Sequence, residues 1–167
     1  MGLDMFLERE YYLFPWYKKD INEITIITDE EALNNNAIKT FTIPLDKCRR
    51  IILLEHQWRK SNAIHKWFVD NVQDGKDDCR RYWLSIDKLK KLKETLDKVI
   101  ALRYDNLSKE KLEEKCAELL PTQEGFFFGN TTYSEDYFGD IMDTLNTLDR
   151  ILAEENPIGE FYYSSSW

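Results

Sequence analysis

The residues best equipped for chemistry lie between Trp58 and Asn71, where Trp58, Arg59, Lys60, Asn62 and His65 fall within a few turns of one another and apolar residues recur at a helical period. The spacing predicts an amphipathic helix over this stretch, with Ile64, Trp67 and Phe68 beside the polar set. Such a set suits a nucleotide-like ligand. An indole offers a flat face for stacking, a guanidinium a two-pronged donor for phosphate, a carboxamide both donor and acceptor, and an imidazole a donor that switches near neutral pH. The plainer alternative is that the rings are core, the cations are solvated and His65 is hydrogen-bonded at the core's edge.

A second candidate stretch follows the aromatic run Gly125-Phe-Phe-Phe-Gly129. Phe128, Asn130, Thr131, Thr132 and Tyr133 lead towards the last helix, so backbone N–H groups, hydroxyls and rings there could meet a phosphate, ribose or base. No Walker or Gly-x-Gly-x-x-Gly pattern accompanies them. The acidic loop Asp70 to Asp78 resembles a calcium loop only superficially, because Val72 stands where a side-chain oxygen is needed and the closing Glu is missing. For catalysis there are two histidines, His56 and His65, without a zinc-hydrolase spacing, and there is no nucleophile elbow. No catalytic residue, metal ligand or cofactor is assigned, although carboxylate-based hydrolysis stays open.

The elements that must position these groups read as follows. Alternating Leu3, Met5 and Leu7 predict a half-buried strand over Gly2 to Leu13, ended by Pro15. The β-branched segments Glu23 to Thr28 and Ile38 to Ile43 flank a turn at Asn34 to Asn36. Arg50 to Leu54 is either a buried strand or the approach to the Trp58 helix. Arg81 to Leu84 suits a short strand. Ser85, Ser108 and Ser134 are helix caps, before apolar stripes that include Leu89, Leu92 and Leu96, then Leu112 and Cys116, then Phe138, Ile141 and Leu145. Gly125 to Gly129 reads as an aromatic strand. The terminal stretch Glu160 to Trp167 should pair in the same sheet as the first strand, which keeps its rings from water. The expected fold is α+β: a single domain over residues 1–167, with an antiparallel sheet including both terminal strands and three to four packed helices.

Composition restricts the partners. The 167 residues suit one core, and three widely spaced cysteines argue against a disulfide framework or a thiolate zinc site. No apolar run is long enough to span a bilayer and the first residues do not read as a signal peptide, so the expectation is a soluble cytosolic protein without membrane partners. A net charge of −8 disfavours general nucleic-acid binding. The charge is uneven: residues 104–167 hold four basic and fourteen acidic side chains, whereas residues 46–66 hold six basic and two acidic. A small anion could therefore find a local positive site.

The opening Met1-Gly-Leu-Asp-Met-Phe-Leu7, the stretch Trp58-Arg-Lys-Ser-Asn-Ala-Ile-His-Lys-Trp-Phe-Val69, and the segments Leu119 to Gly129 and Glu160 to Trp167 resemble a family of small bacteriophage proteins. The similarity runs in blocks along the chain and omits Pro15 to Leu45. It implies action in the cytoplasm of the bacterial host cell, often beside genes that counter host defence. The expectation is a small-molecule-binding protein that sequesters a nucleotide-derived immune signal, a cyclic oligonucleotide or ADP-ribose derivative, without chemistry. Homo-oligomerisation is compatible with this expectation. Two alternatives stay open, a metal-dependent nucleotide hydrolase or transferase and an acidic inhibitor that docks on a host defence protein.

Overall fold

The computed structural model describes residues 2–13, 23–28, 39–44, 48–155 and 157–167. Its elements are strand β1 (Asp4–Tyr12), β2 (Glu23–Thr28), β3 (Lys39–Pro44), β4 (Arg50–Arg59), helix α1 (Asn62–Asn71), β5 (Tyr82–Leu84), α2 (Ile86–Ala101), a 3₁₀ turn (Leu102–Tyr104), α3 (Lys109–Leu119), α4 (Glu135–Leu152) and β6 (Glu160–Ser166). Contacts group the chain into two compact units, Met1–Arg9 with Leu53–Trp167, and Glu10–Ile52. The fold is α+β, with an antiparallel sheet in the order β4-β1-β6-β5 that contains both terminal strands, and β2 with β3 forms a separate two-stranded sheet.

In the larger unit, the alternation of β1 puts Leu3, Met5 and Leu7 into the core, all at most 1% exposed. Arg9 continues that inward face, and a buried cation needs partners. Its guanidinium donates to both carboxylate oxygens of Glu154 at 2.6 Å, Nε donates to the Ile158 carbonyl at 2.7 Å, and Glu55 lies 3.6 Å away. Strand β6 sits between β1 and β5 and pairs antiparallel with β5, Tyr82 opposite Tyr163 and Leu84 opposite Phe161. Phe68 of α1 stacks on Tyr163 at 3.9 Å between ring centroids. Helices α2 and α4 close the core with Leu89, Leu92, Leu96 and Val99 from one and Phe138, Ile141, Leu148 and Ile151 from the other. Each such side chain stabilises the fold by about 1.5–3 kcal/mol when fully buried.

Ser85 and Ser108 cap their helices as their positions predict, accepting from the N–H groups of Lys88 and Lys111. Ser134 occupies the N-cap of α4 without such a bond. In the smaller unit β2 and β3 pair antiparallel from Glu23 opposite Pro44 to Thr28 opposite Lys39, one residue beyond the expected end of the second strand. Pro15 and the Asn34 to Asn36 turn lie outside the described residues.

Two expected elements differ. Gly125 to Gly129 is a turn, because Phe128 N–H donates to the Gly125 carbonyl at 3.1 Å and Gly129 takes φ +85°, a left-handed value that ends any strand. The helix expected from Trp58 begins only at Asn62, and Trp58 and Arg59 belong to β4. Lys60 N–H still donates across the sheet to the Leu3 carbonyl at 2.7 Å, so the strand ladder holds the chain extended where its apolar spacing alone fits a helix.

Candidate functional site

The passage from β4 to α1 occupies two residues, and the turn is sharp. Lys60 takes φ 60°, a left-handed conformation costly for a residue with a side chain, while Asn62 N–H donates back to the Lys60 carbonyl at 2.9 Å. Two glycines make room for the Lys60 stem. A Cβ on Gly129 would lie 2.9 Å from Lys60 Cβ, and one on Gly2 would lie 3.4 Å from its Cε. Arg59, directly before it, is 68% exposed and meets Asp4 only at 3.8 Å, a loose surface pair.

This passage forms one wall of a cleft of about 590 Å³, within the range of small-ligand sites. The wall runs from Arg59 to Ile64. Facing it is the first half of α4, from Ser134 to Asp143, with Thr122, Gly129, Asn130 and Thr132 completing the lining. One internal bond fixes the walls against each other, from the Trp58 indole N–H to Thr144 Oγ1 at 2.7 Å, and the Ser61 hydroxyl lies beside the Asp140 carboxylate. The cleft is therefore formed before any ligand arrives.

Its charge is divided by wall. Arg59 and Lys60 stand on the α1 side, whereas Glu135, Asp136, Asp140 and Asp143 stand on the α4 side, so two cations face four carboxylates. Burial pushes the Asp140 carboxyl above the usual carboxylate range; the Ser61 hydroxyl draws it back, and Asp143 and Asp136 raise it further. The start of α1 carries no acidic residue in its first turn and no side-chain cap, which leaves the positive end of that helix dipole uncompensated by its own sequence.

Of the ten residues expected from sequence, Arg59, Lys60, Asn62, Asn130 and Thr132 line this cleft, and Trp58, His65, Phe128, Thr131 and Tyr133 do not. Trp58 is 3% exposed, with His56 and Phe68 against its ring at 4.5 and 5.8 Å between centroids, so its face is already occupied. Asn62 is a latch. Its Nδ2 donates to the carbonyls of Phe128 at 3.0 Å and Asn130 at 2.7 Å, and its Oδ1 accepts from Gln123 N–H at 3.1 Å. Phe128 is buried edge-on to His65. The Thr131 carbonyl accepts from Thr122, and Tyr133 packs edge-on against Tyr137.

His65 is fully buried in a closed polar chain. Its Nε2 lies 3.0 Å from Asp77 Oδ1 and its Nδ1 lies 2.7 Å from the Tyr163 hydroxyl. A carboxylate only accepts, so Nε2 carries the proton and Nδ1 accepts from Tyr163. Gln123 donates to the other Asp77 oxygen at 2.9 Å, which ties the same segment that Asn62 holds. Burial lowers the His65 pKa from its ordinary value and the Asp77 charge opposes this less strongly, while burial pushes the Tyr163 phenol well up. The acidic loop is also divided: Asp78 turns to Arg80 and Tyr82 and away from Asp77. Among the described residues, no group of three or more His, Cys, Asp or Glu is placed to hold a metal ion, and no helix is long and apolar enough to cross a membrane.

Sequence reasoning missed the α4 carboxylates. Asp136, Asp140 and Asp143 recur at i, i+4 and i+7, one face of the helix, and that spacing was the available signal. No protein-family model, curated protein or solved structure matches this chain.

Proposed function

We propose that this chain is a binding protein for a small, phosphate-bearing, nucleotide-derived ligand, which it holds in the cleft between the start of α1 and α4 without chemistry. The observation that carries this reading is Lys60, a cation kept in left-handed backbone at the cleft wall with two glycines against its stem. Strain of this kind persists where the surroundings over-determine it, and it concentrates at ligand sites. Arg59 and the uncapped start of α1 add the remaining donors for phosphate. The acidic wall excludes a long polyanion and suits a ligand whose negative charge is confined to one end.

The resemblance to phage proteins implies the setting, a bacterial host, and the role proposed in that setting is to withhold a nucleotide-derived signal. Titration calorimetry against cyclic dinucleotides and ADP-ribose conjugates tests the reading. One of them should bind, Arg59→Ala and Lys60→Ala should each weaken it about 10- to 100-fold, as loss of a charged hydrogen bond does, and denaturing the complex should return the ligand intact. Absence of heat with every compound sinks the proposal. Recovery of a cleaved product would instead make the protein an enzyme.

A further inference from the structure

Resting on the reading just given, the geometry points to guanine as the base the cleft selects, with Asp140 as the residue that determines the choice. If phosphate lies against Arg59 and Lys60, a ligand that extends across the cleft meets the α4 wall, which supplies the largest share of the lining outside the Arg59 to Ile64 passage. From Ser134 to Asp143 that wall spans roughly 14 Å at 1.5 Å per residue, enough for a sugar and a base. Asp140 stands within this span, half-buried, and lines the same cleft as Ser61 of the α1 wall. Gly139, next to it, has open space where a side chain would begin, so a flat ring meets no obstruction there.

A carboxylate accepts two parallel hydrogen bonds and donates none. Among the common bases only guanine presents two adjacent donors, the ring N1–H and the exocyclic amine, on one edge. Adenine and cytosine each set one amine beside a ring acceptor, which a carboxylate repels, and uracil flanks its single donor with carbonyls. The same negative charge that makes the α4 wall hostile to phosphate therefore orients the ligand with its base towards Asp140 and its phosphate away.

Calorimetry on the full chain with GDP, IDP, ADP and inorganic pyrophosphate tests this, because IDP differs from GDP only in lacking the exocyclic amine. GDP should bind about 10- to 100-fold more tightly than IDP or ADP, the discrimination expected of one two-pronged base contact. Asp140→Asn should bring GDP down to the level of the other two while leaving pyrophosphate binding unchanged or tighter, since a negative charge is removed. Equal affinities for GDP, IDP and ADP in the wild-type protein overturn the inference, and if pyrophosphate still binds they leave the phosphate reading standing. No heat with pyrophosphate or any nucleotide overturns both. The wild-type panel decides the matter even if Asp140→Asn fails to fold.

Discussion

Asn62→Ala separates a structural role for this residue from a ligand-binding one. The carboxamide is 4% exposed and makes three bonds, to the carbonyls of Phe128 and Asn130 and from the N–H of Gln123. Its orientation follows from these partners, because a flipped amide would set its oxygen against two carbonyls. A hydrogen bond contributes about 0.5–1.5 kcal/mol net, and the bond to Asn130 is partly exposed, so water replaces some of it. The truncation should therefore cost about 2–4 kcal/mol, and for a chain of this length each kcal/mol lowers Tm by roughly 2–4 °C. Urea denaturation followed by tryptophan fluorescence reads the loss directly. Asn62→Asp sharpens the test: it keeps the acceptor for Gln123 but turns a carboxylate towards two carbonyls, and should be at least as damaging as alanine. A loss below about 1 kcal/mol in Asn62→Ala, or an aspartate variant as stable as the wild type, would refute the latch.

Lys60→Gly should leave stability unchanged or raise it by about 1 kcal/mol, because glycine relieves the left-handed strain and gives back part of that gain in unfolded-state entropy, yet it should weaken ligand binding by about 10- to 100-fold, as Lys60→Ala should; urea midpoints and calorimetry on one preparation check both. Gly129→Ala should destabilise by about 1–3 kcal/mol, since its φ of +85° disfavours any side chain and the new Cβ would press on Lys60 Cβ at 2.9 Å; a neutral urea midpoint contradicts this. The His65 imidazole, lowered from 6.5 by burial, takes up a proton less readily in the fold than in the unfolded chain. The unfolded state therefore binds more protons below pH 6.5, and stability present above that value is lost as pH falls towards the lowered folded pKa. His56 is shifted in the same direction, so denaturation curves from pH 7 to 5 should slope least in the His56→Gln, His65→Gln double variant, and an unchanged slope there would falsify the assignment.

The strands and helices legible in sequence are those whose signal is local. Leu3, Met5 and Leu7 alternate because one face of β1 is buried, and Leu89, Leu92 and Leu96 repeat because one stripe of α2 is. The end of β4 was illegible because Trp58 and His65 satisfy a helical period equally well. What decides against a helix there is the bond from Lys60 to Leu3, a partner 57 positions away (60 − 3). The Gly125 to Gly129 stretch misleads for a related reason: three consecutive phenylalanines look like a strand, but Phe128 folds back on Gly125, where a Cβ would lie 2.6 Å from its ring. That close approach explains the glycine and forbids the strand.

The candidate site was half legible, and the division follows where each wall lies in the chain. Arg59 and Lys60 stand out as local charge in an acidic protein, whereas Asp140 comes to line the same cleft through the tertiary packing of α4, whose Thr144 takes a bond from Trp58. Polar residue type was a poor guide to which groups serve a ligand. Asn62 and His65 look functional, yet the amide nitrogen and oxygen of one and both ring nitrogens of the other are committed to the protein. Several groups that break local rules do line the cleft: a lysine in left-handed backbone, a carboxylate raised by burial, and like charges at Asp136 and Asp140 that cost a helix about 0.2–0.5 kcal/mol per pair. Such inconsistencies are expected where a fold serves a ligand, and they are not confined to the cleft, since Asp74 also takes a left-handed φ of 53° and Gln73 Oε1 is buried without a partner among the described residues.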